Sequence, residues 1–365
     1  MKQQIIRCSN IINDLSDLLR SLNYDGLFLL TDHHTQKFCL PLVEAISEIQ
    51  SAWKFSIPAG DENKTMQTLS QVWKFLSDNG ANRKSLLINL GGGMLTDLGG
   101  FAAATFKRGI RFINIPTTLL GAVDAAVGGK TGINFNGLKN EIGAFAPAIA
   151  VLIDSYFFKT LDRTNLLSGY AEMLKHALLT SPQPSPQGKE LAPSCGEGWE
   201  EVIRFDFEKI NYTRLNHLLF ESVLVKERIV EKDPTEQGIR KALNLGHTFG
   251  HAFESLSYEL QRPVPHGYAV AWGLVCELYL SFVKLGFDKE ILSRIIRFVK
   301  ENYGSFAFDC NQYEQIFAFM QHDKKNESKD VNFTLLKAAG EIEINQTADK
   351  KEIEETLDFY RDFFD

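Results

Sequence analysis

The chain has 365 residues, 23% of them charged and 44% hydrophobic, which excludes a disordered protein and is long enough for two domains. Its 46 acidic residues outnumber 39 basic ones, and a formal net charge of -7 excludes the broad cationic surface of a dedicated nucleic-acid binder. Positive charge that matters must therefore be gathered locally. Five scattered cysteines without a C-x-x-C pair argue against a disulfide framework and a thiolate zinc site. The longest apolar runs, such as Ile149–Ile153 and Ala269–Cys276, are too short to cross a bilayer, and MKQQIIRCSN shows no secretory pattern. The expected location is cytoplasmic, without membrane contact.

In chain order, Gly26–Leu30, Trp53–Ile57, Ser85–Leu90 and Arg111–Ile115 read as buried strands bounded by Asp, Pro or Gly. Residues 35–49 and 65–79 carry apolar positions at helical spacing, with Thr65 placed to cap the second stretch. This alternation predicts a mostly parallel α/β sheet. After about residue 160 the pattern changes to long helical stretches at 165–179, 205–232, 241–257, 267–284 and 288–302, with few strand signals. Residues 181–198, SPQPSPQGKELAPSCGEG, read as an exposed loop inserted between helices, because Pro, Ser and Gly offer no apolar face. The expectation is an α/β, Rossmann-like N-terminal domain over residues 1–158, then a mostly α-helical domain over residues 159–365.

Three constellations carry chemistry. Gly91, Gly92 and Gly93 follow a strand and precede a helix, where backbone without Cβ atoms can approach a pyrophosphate. Thr96 stands where the usual dinucleotide fingerprint has its third Gly, so a tight strand–helix turn remains an equal reading. A second turn, AAVGGKTGIN, carries Lys130 and favours a phosphate-bearing ligand. Arg108, Lys130, Lys139, Lys175, Lys226 and Arg240 lie beside Gly-rich turns or in apolar helices. Most could be solvated surface charges, but Lys175 in GYAEMLKHALL is embedded in apolar sequence and needs an anionic partner. His247 and His251 are four apart on one helix, His266 starts another, and Glu172 with His176 one turn on offers a carboxylate. That set suits a catalytic divalent metal such as zinc, or else a hydrogen-bonded core group.

These segments also resemble a known family. GGGMLTDLGGFAAATFKRG, IPTTLLGAVDAAVGGKTGIN, KNEIGAF, GYAEMLKHALL, LNLGHTFGHAFE and HGYAVAWG are similar, in order, to signature blocks of the 3-dehydroquinate synthases, a likeness running from about residue 26 to residue 340. The resemblance implies an NAD-dependent metalloenzyme of the shikimate pathway. It would convert 3-deoxy-D-arabino-heptulosonate 7-phosphate to 3-dehydroquinate and phosphate as a homodimer holding zinc or cobalt. By the same resemblance, Asp32, Asp61, Lys64, Gly93, Asp97, Thr117, Thr118, Lys130, Lys139 and Thr160 serve NAD. Glu172, His247 and His266 hold the metal. Arg108, Asp124, Lys130 and Asn140 bind substrate, as does one lysine of the pair Lys324 and Lys325, taken as Lys325. Lys175, Lys226, Arg240 and Asn244 contact it during catalysis, and Glu236 and His251 transfer protons. Asp61 stands where the family has Glu, and TDHHT replaces the more usual Asp-x-Asn after the first strand. A metal-dependent polyol or alcohol dehydrogenase of the same two-domain plan is the alternative. It would release NADH and would not need the Lys130, Lys175, Lys226 and Arg240 cluster. A catalytically dead NAD-binding scaffold would have lost several ligands, and none is lost.

Overall fold

The computed structural model describes residues 3–136, 138–180, 198–322 and 331–364. The 181–198 insertion, apart from Gly198, and Lys324 and Lys325 lie outside the described residues. Contacts divide the chain into residues 1–162 and 163–365.

The first unit runs β1 (Gln4–Arg7), α1 (Ile11–Ser21), β2 (Leu27–Asp32), α2 (His33–Phe38), α3 (Leu40–Val43), α4 (Ser47–Gln50), β3 (Trp53–Ile57), α5 (Met66–Asp78), β4 (Leu86–Gly91), α6 (Gly93–Thr105), β5 (Arg111–Pro116), a hairpin of β6 (Lys130–Phe135) and β7 (Leu138–Phe145), and β8 (Ala150–Ile153). Six strands form one parallel sheet in the order β1-β8-β5-β4-β2-β3. The chain leaves β2 outward to β3 and returns to its other side with β4, so the strand order reverses between β2 and β4. In such sheets ligands bind beyond the carboxyl ends of the strands at that reversal. Both strands are buried along their whole length, as residues covered on two faces must be. Thr65 caps α5 by accepting from the Thr68 amide. The single helix expected over 35–49 is instead three short ones. Pro41 lacks an N–H and its ring would clash with the carbonyl four residues back, so it sits in the first turn of a new helix.

The second unit holds α7 (Arg163–Leu178), α8 (Gly198–Ile203), α9 (Tyr212–Lys232), α10 (His247–Glu259), α11 (His266–Leu285), α12 (Lys289–Tyr303), α13 (Tyr313–His322), the antiparallel pair β9 (Val331–Ala338) and β10 (Glu341–Ala348), and α14 (Lys350–Phe364). The helix expected from 205 starts at Tyr212, capped by Asn211, because Phe205 and Phe207 turn in against Tyr170. The stretch 241–257 is broken at Gly246, whose left-handed φ of 79° separates a 3-10 turn, Ile239–Asn244, from α10. The β9–β10 hairpin is an addition to the expected helices. α11 is long and apolar enough to span a bilayer, but about two-thirds of it is buried against α7, α10, α12, α14 and β9 as the core helix of the unit.

Glycines let three of these helices touch through their backbones. A Cβ at Gly273 of α11 would stand 2.1 Å from Gly246 O and 2.6 Å from Gly250 N, and one at Gly267 would stand 1.9 Å from Ser168 O of α7. Gly273→Ala should therefore force α10 and α11 apart and cost about 1–3 kcal/mol, the scale of overpacking. Thermal unfolding checks this, and an unchanged midpoint would show that the helices can separate without loss.

Candidate active site

In the first unit the residues expected to serve a dinucleotide gather at the carboxyl ends of the central strands. Asp32 ends β2, Gly91 ends β4, and Thr117 and Thr118 follow β5. Gly92 is the N-cap of α6 with no side-chain cap, so backbone amides open the helix. A Cβ at Gly92 would lie 3.0 Å from Thr118 Cγ2, one at Gly93 2.9 Å from Ala125 Cβ, and one at Gly121 3.2 Å from Gly93 N. Gly92 and Gly93 are thus required by the close seating of this turn on the segment after β5, while a Cβ at Gly91 would stand 2.8 Å from Leu95 Cβ of α6. Asp124 stands on a single π-helical turn, Gly121–Ala125, in that segment.

Lys64 organises a polar cluster beside the α6 N-terminus. Only 3% exposed, its Nζ donates to Asp97 Oδ2 at 2.5 Å and to Asn140 Oδ1. Asn134 Nδ2 donates to Asp61 Oδ2 at 3.2 Å, Asn134 Oδ1 accepts from the Asn140 amide at 3.0 Å, and Lys139 Nζ lies 3.5 Å from Asp61 Oδ2. The β6–β7 hairpin therefore holds Lys139 and Asn140, expected to serve different ligands, on one cluster with Asp61, Lys64 and Asp97. Asn134 was not legible as a member, because nothing in TGINFNG marks it. Asp32 Oδ1 accepts from the His34 and Thr35 amides as the N-cap of α2. Thr160 donates its hydroxyl to Phe157 O, while Arg108, at φ 68°, and Lys130 are exposed; no described bond ties Thr160 or Arg108 to the Lys64 cluster.

In the second unit the expected metal residues converge. Glu172 of α7 is 0% exposed, with His247 Nε2 at 3.4 Å and His266 Nε2 at 3.7 Å from the same oxygen, Oε1. The other ring nitrogens are engaged: His247 Nδ1 lies 3.1 Å from Leu245 O and His266 Nδ1 3.1 Å from Glu254 Oε2. These contacts point both Nε2 atoms at Glu172. Ligand atoms about 2.0–2.2 Å from a tetrahedral ion stand roughly 3.3 Å from one another, which these separations match. Lys175 Nζ pairs with Oε2, yet neither Glu172 oxygen accepts a hydrogen bond of good geometry, an uncommon state for a buried carboxylate. His251 offers a third imidazole: one nitrogen from each of His247, His251 and His266 lies within 4.8 Å of the others.

The electrostatics divide these groups. Burial would raise the Glu172 carboxyl, but Lys175 and His247 outweigh it and hold it well below the usual range. Burial, reinforced by Lys175, lowers His247 to about 4. Burial acts the same way on His266, but Glu254 and Glu172 overcome it and push it up to about 10. Glu254 escaped the sequence reading, although a carboxylate in the apolar run HAFESL was a usable signal.

Lys226, Glu236, Arg240 and Asn244 lie on α9 and on the segment that leads from it to α10. Lys226 is buried on α9, which packs on α7 and the Ile239–Asn244 turn. Asp233 builds the preceding loop, accepting from the Gln237, Gly238 and Arg240 amides. That loop buries Arg240 to 1% exposure, with Nη1 donating to Pro234 O, and holds Glu236 at φ 62° with Oε1 3.2 Å from Asn244 Nδ2.

The 3-dehydroquinate synthase N-terminal family profile matches residues 54–168 and the C-terminal profile residues 169–326. A 3-dehydroquinate synthase of Parabacteroides distasonis is 55% identical over 363 residues, covering 100% of this chain and 99% of its own. Among solved structures, a 2-deoxy-scyllo-inosose synthase complexed with carbaglucose-6-phosphate, NAD+ and Co2+ superimposes with a TM-score of 0.80 at 19% identity, covering 97% of this chain and 95% of its own. A 2-epi-5-epi-valiolone synthase of Streptomyces hygroscopicus with NAD+ and Zn2+ bound gives 0.80 at 23% identity, covering 99% and 97%. At these identities the two structures speak to the fold.

The Lys64 cluster makes a test of its own. Lys64→Met should cost about 1–3 kcal/mol by leaving Asp97 and Asn140 without their shared donor. In a double-mutant cycle with Asp97→Asn the losses should be non-additive. Additive losses in denaturant unfolding would show that the pair does not act as a unit.

Proposed function

The chain belongs to the 3-dehydroquinate synthase family, and from that premise we propose that it converts 3-deoxy-D-arabino-heptulosonate 7-phosphate to 3-dehydroquinate and phosphate in the shikimate pathway, as a carbon–oxygen lyase. The observation that carries the metal half of this reading is Glu172. Its buried oxygens lack good hydrogen bonds while two imidazole Nε2 atoms face one of them. The reading takes NAD and a divalent ion, zinc or cobalt, as cofactors. It further takes a cytoplasmic homodimer, for which the family resemblance is the support.

When bound, NAD supplies a hydride acceptor that returns its hydride within the turnover, and the divalent ion supplies Lewis acidity toward the oxidised hydroxyl and its ketone. Glu172, His247 and His266 would hold the ion, with Glu254 fixing the His266 ring through Nδ1. Asp32, Asp61, Lys64, Gly93, Asp97, Thr117, Thr118, Lys139 and Thr160 would hold NAD, the amides of the α6 N-terminus favouring its pyrophosphate. A substrate carrying a carboxylate and a phosphate needs several cations despite a net charge of -7. Arg108, Lys130, Lys175, Lys226, Arg240 and Lys325 meet that need, with Asp124, Asn140 and Asn244 as polar contacts. Burial of Lys175, Lys226 and Arg240 strengthens their attraction for an anion by removing competing water. Glu236 and a ring nitrogen of His251 move protons as phosphate leaves and the carbocycle closes.

Purified protein given heptulosonate 7-phosphate, NAD and Co2+ should release phosphate without net build-up of NADH. Stoichiometric NADH, or a valiolone-type product from sedoheptulose 7-phosphate, would overturn the assignment in favour of a dehydrogenase or a sister cyclase. The four-residue spacing of His247 and His251 gives a second test. A catalytic ion keeps three protein ligands and an open position, and the His251 imidazole as a fourth ligand would close it. His247→Ala should lose tight metal binding. His251→Ala should keep close to one metal per subunit while losing on the order of 10²-fold in turnover. Elemental analysis of the two variants decides, and a metal-free His251→Ala beside a metal-loaded His247→Ala would reverse the roles.

A further inference from the structure

The first turn of α10 cannot cap itself. Gly246 occupies the N-cap in the left-handed region, and a Cβ there would stand 2.7 Å from Leu274 Cγ, so no Ser, Thr, Asp or Asn can replace it. Elsewhere Asn10, Asn211 and Asp288 cap α1, α9 and α12 with their own side chains. At α10 the acceptor comes from another helix. Glu277 of α11, 0% exposed, takes the Gly246 amide on Oε2 at 2.6 Å and the Thr248 and Phe249 amides on Oε1 at 2.9 and 3.4 Å. His247 is the residue between the first two of these amides. Its ring is held from the other side by the contact of Nδ1 with Leu245 O. Glu277 also lies eleven residues after His266, about three full turns, so the two stand on the same face of α11.

We infer that Glu277 is a positioning residue for the metal centre. Its buried carboxylate fixes the backbone on both sides of His247 and locks that residue to the helix that presents His266. This rests on the reading of the histidine cluster as a metal site. The carboxylate touches no reacting atom. It acts through the α10 amides, whose partial positive charge it complements, and α11 thereby carries one ligand at its first residue and sets another through its fourth turn. The sequence gives no hint of this role, since Glu277 reads as a stray charge after Ala269–Cys276.

The test uses full-length apo-protein titrated with Co2+ and followed by the visible absorption of the bound ion. Glu277→Gln keeps the shape and one acceptor but turns an N–H toward the Gly246 amide. Glu277→Ala removes both acceptors. Ser281→Ala is the control, because Ser281 is buried one turn further along α11, where its hydroxyl accepts from the Leu336 amide of β9 at 3.0 Å and donates to the Glu277 main-chain carbonyl at 2.7 Å, bonding neither the Glu277 carboxylate nor α10. Wild type and Ser281→Ala should bind with equal affinity. Glu277→Gln and Glu277→Ala should bind about 10- to 100-fold more weakly with an altered Co2+ spectrum, the range for a lost partner behind a ligand. Should Glu277→Ala fail to fold, Glu277→Gln decides alone. Wild-type affinity and spectrum in folded Glu277→Gln would overturn the inference. A wild-type protein whose Co2+ uptake is absent, or is unaffected by His247→Ala, would overturn the metal reading itself and this inference with it.

Discussion

Backbone contact among α7, α10 and α11 is the constraint on which the second unit depends. Gly267 rests on Ser168 of α7, while Gly273 meets Gly246 and Gly250 at the start of α10. Each contact is within one turn of Glu172, of a histidine of the cluster, or of Glu277. This close approach accompanies the convergence of the short imidazole arms of His247 and His266 on one Glu172 oxygen, at 3.4 and 3.7 Å. The steric requirement for hydrogen atoms at four positions thus becomes a chemical one, a set of nitrogens and oxygens held within a few ångströms. Cores are close-packed and deform little, so the relative placement of these side chains follows from the packing of the three helices.

The first unit uses the same device for another end. Gly92 and Gly93 let the α6 N-terminus sit on Thr118 and Ala125, and Gly99 accommodates the Asn89 amide, which pairs with Asn114 across β4 and β5 at 2.9 Å. At Gly91–Gly93 the structure shows the tight turn, and that turn does not compete with the ligand-loop reading. The close seating that demands glycine also brings the open helix amides to the strand-order reversal, where a phosphate is best received.

Much of this was legible because the sheet is parallel and buried. Leu27–Asp32, Leu86–Gly91 and Arg111–Pro116 are largely apolar runs bounded by breakers, and Thr65 is a cap with a mechanism. Trp53–Ile57, expected to be buried, is instead an edge strand with Trp53 and Lys54 exposed. The misses have physical causes. Pro41 and Gly246 interrupt stretches whose apolar spacing is helical throughout, and periodicity does not register a single residue's φ. In β10 the pattern EIEINQTA does alternate, but β9, VNFTLLKA, is buried on most positions and so lacks the signal of a one-sided strand. In the site, residue types at short spacing were visible, as with His247 and His251. Partners supplied from distant sequence, Asn134 to Asp61 and Glu254 to His266, depend on register and helix packing that no local pattern encodes.

Three buried carboxylates in the second unit show where the fold accepts a cost. Glu277 is met by three backbone amides, and Glu254 by an imidazole that it helps keep charged. Glu172 has an ammonium group and two imidazoles nearby but no hydrogen bond of good geometry. A buried charge left short of partners costs several kcal/mol, and simple folding would favour an apolar side chain at this place in α7. The position is nonetheless a glutamate, with Lys175 one turn on to hold it ionised and neutral His247 facing it. An arrangement that keeps a carboxylate charged, dry and incompletely satisfied is unfavourable in the empty protein and favourable once a cation sits among the same atoms. On the proposed reading the under-satisfied group would mark the point at which stability is exchanged for binding, and the argument for it rests on physical grounds separate from the family resemblance.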